Sequence, residues 1–294
     1  MARFTAYYSV QFDVNKVNFN WYIRNYVDSD FLDNSFKTYH GFTYQDWAYV
    51  IGDDGAGQTA LGVAGSGFVL DPVTSKFTAG TLNFLSEASV DLDQDLWILD
   101  KFSIPLAVFD NALTSRGTTD DLDFMSLVFE GNDTFNLSPY DDSAPGYDGN
   151  DKMFGNGGDD ILAGGNGDDK LDGGIGDDFL GGGMGQDVYT GGIGRDTYYF
   201  KDPSETAVGR TRDRIMDFSN TYDVLDLHSI DADVFKAGNQ KFHFIGADQF
   251  DVGGVAQLRY ANGVLAGDVD RDGIADFEIS FANRVALDPD SIIP

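Results

Sequence analysis

Apolar residues follow two different periods along the chain. Near the start, Phe4, Ala6, Tyr8, Val10 and Phe12 alternate with mostly polar residues, as a half-buried strand does. Residues 65–84, GSGFVLDPVTSKFTAGTLNF, read as a hairpin turning at Asp71-Pro72. Ser103-Ile104-Pro105 before LAVFDNAL reads as a helix N-cap with proline in the first turn, and Thr119 as the cap of a short helix over 120–129. From Gly146 the spacing changes to one large apolar residue in every nine: Met153, Leu162, Leu171, Leu180, Tyr189 and Tyr198. Beyond Tyr199 short alternating segments return in DRIMDF (213–218), DVLDL (223–227), KFHFIG (241–246), QLRY (257–260) and DFEISF (276–281), predicting further strands.

The nine-residue stretch is a tandem repeat, GYDGNDKMF, GNGGDDILA, GGNGDDKLD, GGIGDDFLG, GGMGQDVYT and GGIGRDTYY, with glycine at positions 1 and 4 and aspartate at position 6 of all six copies. The register extends upstream, because Asp142 lies nine residues before Asp151 and Asp133 lies eighteen before it. Residues 128–136 then form half a repeat with Phe135 at the apolar position, and 137–145 a degenerate one with Ala144 there. The expectation is a solenoid of eight nonapeptides over 128–199, or four coils of 18 residues.

Glycine lets neighbouring turns approach closely, so backbone carbonyls can be aimed inward while the position-6 carboxylate completes an all-oxygen cage. Flexible oxygen cages of six to eight ligands suit Ca²⁺ better than Mg²⁺. The x-U-x tripeptide, with U the large apolar residue, is a minimal strand, and alternate repeats stack on opposite sides, so each ion is shared between turns i and i+2. One apolar side chain in nine residues cannot offset the entropy of ordering the backbone. Stacked carboxylates also repel. Metal binding and folding are therefore expected to be one event. A flexible Gly/Asp linker would not keep a large apolar residue two places after every aspartate.

Composition narrows the chemistry. Nineteen Lys+Arg against 49 Asp+Glu give a net charge of −30, which excludes phosphate-contacting nucleic-acid binding and docking on anionic membranes by basic patches. There is no cysteine, hence no disulfide framework, thiol catalysis or Cys-ligated metal. The residues after His40, His228 and His243 are GFTY, SIDA and FIGA, so no H-E-x-x-H zinc helix exists; Ala64-Gly65-Ser66-Gly67-Phe68 is not a G-x-S-x-G elbow. No apolar run approaches the roughly 20 residues of a transmembrane segment, and the first residues lack the apolar core of a cleaved secretory signal. Hydrophobic residues at 42% nevertheless suffice for a real core.

The nonapeptides resemble the calcium-binding β-roll of RTX proteins. GGIGRDTYYF, DRIMDF, YDVLDL, FIGADQF, AQLRY and GDVDRDGIADFEI, in this order, resemble the C-terminal domain of serralysin-type metalloproteases over about residues 146–294. That resemblance implies export through a type I secretion apparatus, directed by an uncleaved C-terminal signal. The ending Asp290-Ser291-Ile292-Ile293-Pro294 is similar to the family's acidic-then-hydrophobic terminus, from which Pro294 departs. It also implies a roll unfolded in calcium-poor cytosol and folded outside the cell. The protease does not carry over, because its zinc motif is missing. Residues 1–127 resemble the small domain that precedes RTX repeats in secreted calcium-binding proteins.

The expected fold is mainly β: an N-terminal α+β or mainly-β domain (1–127), a parallel β-roll (128–199) and a β-rich C-terminal cap (200–294). The expected calcium ligands in the roll are Asp133, Asp142, Asp151, Asp160, Asp169, Asp178, Asp187 and Asp196, with the position-4 glycines Gly149, Gly158, Gly167, Gly176, Gly185 and Gly194. Asp268, Asp270, Asp272 and Asp276 form a D-x-D-x-D-G loop, open to two readings, a lone calcium loop or an acidic turn; the EF-hand position 12 is Ile279 rather than glutamate. Arg210, Arg212 and Arg214 read as ion-pair partners of nearby carboxylates. The aromatics Tyr7, Tyr8, Trp21, Tyr22, Tyr26, Trp47 and Tyr49 read as core rather than a sugar platform.

The function expected is a secreted, extracellular or surface-associated, calcium-folded, non-enzymatic protein with an adhesive or S-layer-like role, its partner a cell-surface glycan or further copies of itself. Two alternatives are an enzyme acting on polysaccharide through carboxylates in 1–127, and a haem binder using His40 with Tyr39 and Tyr44. An oxygen-only cage carries a direct prediction: Ca²⁺ and lanthanides bind, and calorimetry with Zn²⁺ at equal concentration shows no competition.

Overall fold

The computed structural model describes residues 3–6, 26–32, 37–39, 42–44, 46–53, 58–70, 77–89, 94–105 and 126–293, apart from 234, 236 and 237. It divides into two compact units, Met1–Ser138 and Pro139–Pro294. Residues 128–138, expected at the start of the roll, therefore group with the first unit.

The strands of the first unit are β1 (Arg3–Ala6), β2 (Tyr26–Leu32), β3 (Lys37–Tyr39), β4 (Phe42–Tyr44), β5 (Asp46–Asp53), β6 (Gln58–Leu70), β7 (Phe77–Ser89), β8 (Gln94–Pro105) and β9 (Thr134–Asn136). They lie in the order β9-β1-β8-β7-β6-β5-β2, with β3 and β4 paired separately. All pairs are antiparallel except β1 with β9. The expected hairpin is β6–β7, its ends joined by the pair Leu70 and Phe77, while its turn at Asp71-Pro72 lies outside the described residues. The helix expected to open at Ser103 is corrected: Ser103-Ile104-Pro105 ends β8, with Ile104 paired to Leu82 and Pro105 to Thr81. Proline is tolerated at a strand end, where its missing N–H breaks no ladder, so S-I-P fits either element. Of the expected helix 120–129, residues 126–128 are helical and 120–125 lie outside the described residues.

In the second unit the nonapeptide period generates the architecture. Strands β10 (Ser143–Pro145), β11 (Lys152–Gly157), β12 (Ile161–Asn166), β13 (Lys170–Ile175), β14 (Phe179–Met184), β15 (Val188–Ile193) and β16 (Thr197–Tyr199) alternate between two parallel sheets. Each pairs with the strand two repeats on, so the apolar positions stack in files: Met153 on Leu171 on Tyr189, and Ala144 on Leu162 on Leu180 on Tyr198. These side chains are at most 2% exposed and form the whole width of the core.

The cap continues both sheets. In it, β17 (Asp213–Ile215) extends the sheet of β15, and β18 (Val224–Asp226) that of β16, placing Ile215 on Tyr189 and Leu225 on Tyr198. Then β19 (His243–Phe244), β20 (Gln257–Ala261), β21 (Val264–Asp268) and β22 (Phe277–Phe281) close one sheet, and β23 (Ile292–Ile293) closes the other. Aromatic contacts carry the core onward, Tyr198 to Phe218 at 5.7 Å between centroids and Phe218 edge-on to Phe281 at 5.2 Å. A solenoid end needs such a closure, since an open last turn would expose its apolar file.

Stacking is very tight at Gly167, whose φ is +130° and whose Cβ, were there one, would overlap the carbonyl oxygen of Gly149. Gly209 has φ +95° with open space around it. Gly167→Ala is therefore expected to cost on the order of 3 kcal/mol, and Gly209→Ala only about 1 kcal/mol, in denaturant melts of the calcium-loaded chain.

Candidate metal centres

Five turns of the roll engage one oxygen of their aspartate and leave the other buried without a hydrogen bond. On one edge the N–H of Asp151 donates to Asp169 Oδ1 at 2.7 Å, and that of Asp169 to Asp187 Oδ1 at 2.8 Å. On the other edge Asp142 donates to Asp160 Oδ1 at 2.7 Å, Asp160 to Asp178 at 2.9 Å and Asp178 to Asp196 at 3.1 Å. The Oδ2 atoms of Asp160, Asp169, Asp178, Asp187 and Asp196 are buried and accept no hydrogen bond. Burying a carboxylate oxygen in this way is costly unless a cation meets it.

Position 1 shows what that oxygen faces. Asp160 Oδ2 and the carbonyl oxygen of Gly173 converge on the point where Gly155 would carry a Cβ; Asp169 Oδ2 and Gly182 O do so at Gly164, and Asp151 Oδ2 and Gly164 O at Gly146. Glycine is required there because a methyl group would fill the cradle. Each cradle thus joins a carboxylate from one turn to a carbonyl from the turn one coil on, an all-oxygen donor set that fits Ca²⁺. The position-4 glycines make a second set of contacts. The N–H groups of Gly149, Gly158, Gly167 and Gly176 donate to the carbonyls of Asn166, Ile175, Met184 and Ile193 at 2.7–2.9 Å. A Cβ on Gly185 or Gly194 would overlap the carbonyl oxygen of Gly167 or Gly176. Asp142 is buried and ends the degenerate turn that stacks under Gly158. Asp133 is buried in the first unit, two residues before the buried Phe135.

Two aspartates of this file escaped the reading of the sequence. The N–H of Asp187 donates to Asp213 Oδ1 at 2.9 Å across 26 residues, and that of Asp196 to Asp223 Oδ1 at 3.2 Å across 27. Both cap residues occupy the position-6 role although the spacing has left 18. The legible signal was Asp213-Arg214-Ile215 and Asp223-Val224-Leu225, which keep the D-x-U spacing without the glycines.

In the cap loop, oxygens of Asp268, Asp270 and Asp276 lie within 4.8 Å of one another, and Asp272 is not among them. The loop's own N–H groups occupy these carboxylates: Asp268 accepts from Arg271 and Gly273, Asp276 from Val269 and Asp270, and Asp272 from Ile274. Arg212 pairs with Glu278 at 2.7 Å. His40 lies outside the described residues, as do Tyr7, Tyr8, Trp21 and Tyr22. Tyr39 and Tyr44 fall on β3 and β4, Tyr26 on β2, and Trp47 and Tyr49 on β5.

The fold and the cradles together define a calcium-binding β-roll. Residues 129–162, 145–180 and 163–198 match the family described as RTX calcium-binding nonapeptide repeat (4 copies), so RTX repeats form this part of the chain. The solution structure of the AlgE6R3 subunit of the Azotobacter vinelandii mannuronan C5-epimerase is similar at 21% identity and a TM-score of 0.32, over 56% of this chain and 78% of that one. No curated protein matches significantly.

Without an ion the cradle aspartates resist ionisation. Burial, reinforced by Asp178 and Asp142 and opposed by the Asp142 N–H, pushes Asp160 up to about 8. Burial and Asp213 push Asp187 to about 9, and burial first also lifts Asp169 and Asp178 to about 6 and Asp196 to about 7. Groups raised in the folded state add stability that is complete below the unfolded value of about 3.9 and is lost as pH rises through the folded values. In calcium-stripped solution, circular dichroism is therefore expected to show β-structure growing as pH falls from about 9 towards about 4. A metal-free chain equally disordered across that range would contradict this.

Proposed function

We propose that the chain is a secreted calcium-binding protein whose roll folds on Ca²⁺ outside the cell, and that it works there without catalysis, at a surface or in a matrix. The carrying observation is the file of buried aspartates, of which Asp151, Asp160 and Asp169 turn Oδ2 towards a glycine carbonyl of the next coil. Asp142, Asp151, Asp160, Asp169, Asp178, Asp187 and Asp196 are the proposed ligands, with the position-1 carbonyls and the position-4 glycines around them. Asp133 is placed with them by its nine-residue register. The ion supplies the positive charge that these carboxylates lack, and the chain's own residues hold it by orienting Oδ2 inward through the Oδ1 hydrogen bond.

Secretion is supported by the RTX repeats, which suit a compartment rich in calcium. The motif order after Tyr199 supports a serralysin-like cap and a type I route. No helix among the described residues is long and apolar enough to cross a membrane. The first unit is proposed to make the specific contact, with a surface glycan or with further copies of the chain.

The same reading assigns the cap a part in folding. The last coil carries Tyr189 and Tyr198, fully buried, while the first contains the degenerate turn 137–145. Deleting 205–294 is expected to abolish the calcium-induced transition of the remaining roll at about millimolar Ca²⁺, and deleting 1–127 to leave it largely intact. Circular dichroism titrations of both truncations decide the matter, and a cap-less chain with an unchanged midpoint overturns the assignment.

A further inference from the structure

We propose that the roll ends in two further calcium sites, built jointly by its last two nonapeptides and the cap, in which a tyrosine hydroxyl stands where earlier turns present a glycine carbonyl. The inference rests on reading the aspartate cradles as calcium sites and adds two whose ligand set the repeat does not encode.

The cradles at Gly146, Gly155 and Gly164 each join an aspartate Oδ2 to a glycine carbonyl one coil on, while at Gly173 the three nearest atoms all belong to Asp178. At Gly182 and Gly191 no later nonapeptide exists to supply that carbonyl. The oxygen converging with Asp187 Oδ2 at Gly182 is instead Tyr189 Oη, and the one converging with Asp196 Oδ2 at Gly191 is Tyr198 Oη. These are the repeats in which position 8 changes from Met or Leu to Tyr. The substitution therefore restores an oxygen to the cradle at the place where the repeat stops providing one.

The cap brings a second carboxylate to each. Tyr189 Oη accepts from the Gly182 N–H at 3.0 Å and donates to Asp213 Oδ2 at 3.4 Å. Tyr198 Oη accepts from the Gly191 N–H at 3.1 Å and donates to Asp217 Oδ1 at 3.2 Å. Each phenol thus lies between an aspartate of the roll and one of the cap. Its hydrogen bonds leave Asp187 Oδ2 and Asp196 Oδ2 without a partner, on residues at most 1% exposed. Two carboxylates around a neutral phenol, one oxygen unmatched and buried, form a hard, anionic, oxygen-only set of the kind a calcium ion takes. Because Asp213 and Asp217 arrive only with the folded cap, these ions tie it to the roll.

The test is calcium binding by the full chain, counted by calorimetry and followed by circular dichroism. Asp213→Asn with Asp217→Asn retains the Oδ1 acceptors and removes the charge. It is expected to bind two fewer ions, or to bind the last two about tenfold or more weakly. An unchanged count at an unchanged midpoint overturns the proposal. If that variant does not fold, Tyr189→Phe with Tyr198→Phe decides through the calorimetric count of Ca²⁺. A loss of two ions, or a weakening of the last two, supports the phenol as ligand, and an unchanged count at an unchanged midpoint overturns it. A wild-type chain that binds no calcium overturns the cradle reading itself, a result visible before any variant is made.

Discussion

Like charge repeated at every coil is the constraint on which the rest of the structure depends. Strands in a sheet stand roughly 4.8 Å apart, so aspartates that stack in register are held closer together than carboxylates in water would choose. The fold accepts this because each Oδ1 is fixed by the N–H of the aspartate one coil earlier, which turns each Oδ2 towards the glycine cradles. Orientation comes from the chain and charge compensation from the cation. One buried apolar side chain per nine residues offsets little backbone entropy, so the acidic composition belongs to the proposed folding on Ca²⁺.

The same arrangement explains the division of labour between glycines. Those at position 1 make room in front of the carboxylate, and those at position 4 make room for the carbonyl of the coil before. An alanine at either place meets an oxygen atom, though for different reasons. The apolar position tolerates more variety: Met153 and Leu171 fill the gap between two sheets in the same file as Tyr189, whose hydroxyl also reaches the cradle at Gly182.

The sequence makes the roll legible because its period records both stacking and chemistry: an aspartate followed two places on by an apolar residue is a strand start in every copy. It fails where the period is broken while the geometry continues. Asp213 and Asp223 hold the same place as Asp187 and Asp196, but the insertions before them, including the turns at Pro203–Glu205 and Gly209–Thr211, hide the register. The position-1 carbonyls were missed for another reason: a backbone oxygen leaves no mark in the residue code, and only the absent Cβ points to it. In the first unit Ser103-Ile104-Pro105 misled because proline suits both a helix start and a strand end.

Stacking at intervals of two repeats also imposes a rule of parity. Successive nonapeptides alternate between the sheets, and the cap offers β17 to one and β18 to the other. Removing a single nonapeptide upstream of β15 would exchange the two sheets for everything downstream, cap included, so that Ile215 would still follow Tyr189 while the strands on either side of the deletion change partners. Removing two neighbours would shorten the solenoid by one coil and leave every remaining strand in its own sheet. A step of eighteen residues therefore keeps every strand in its own sheet, whereas a step of nine moves all later strands, cap included, to the opposite one.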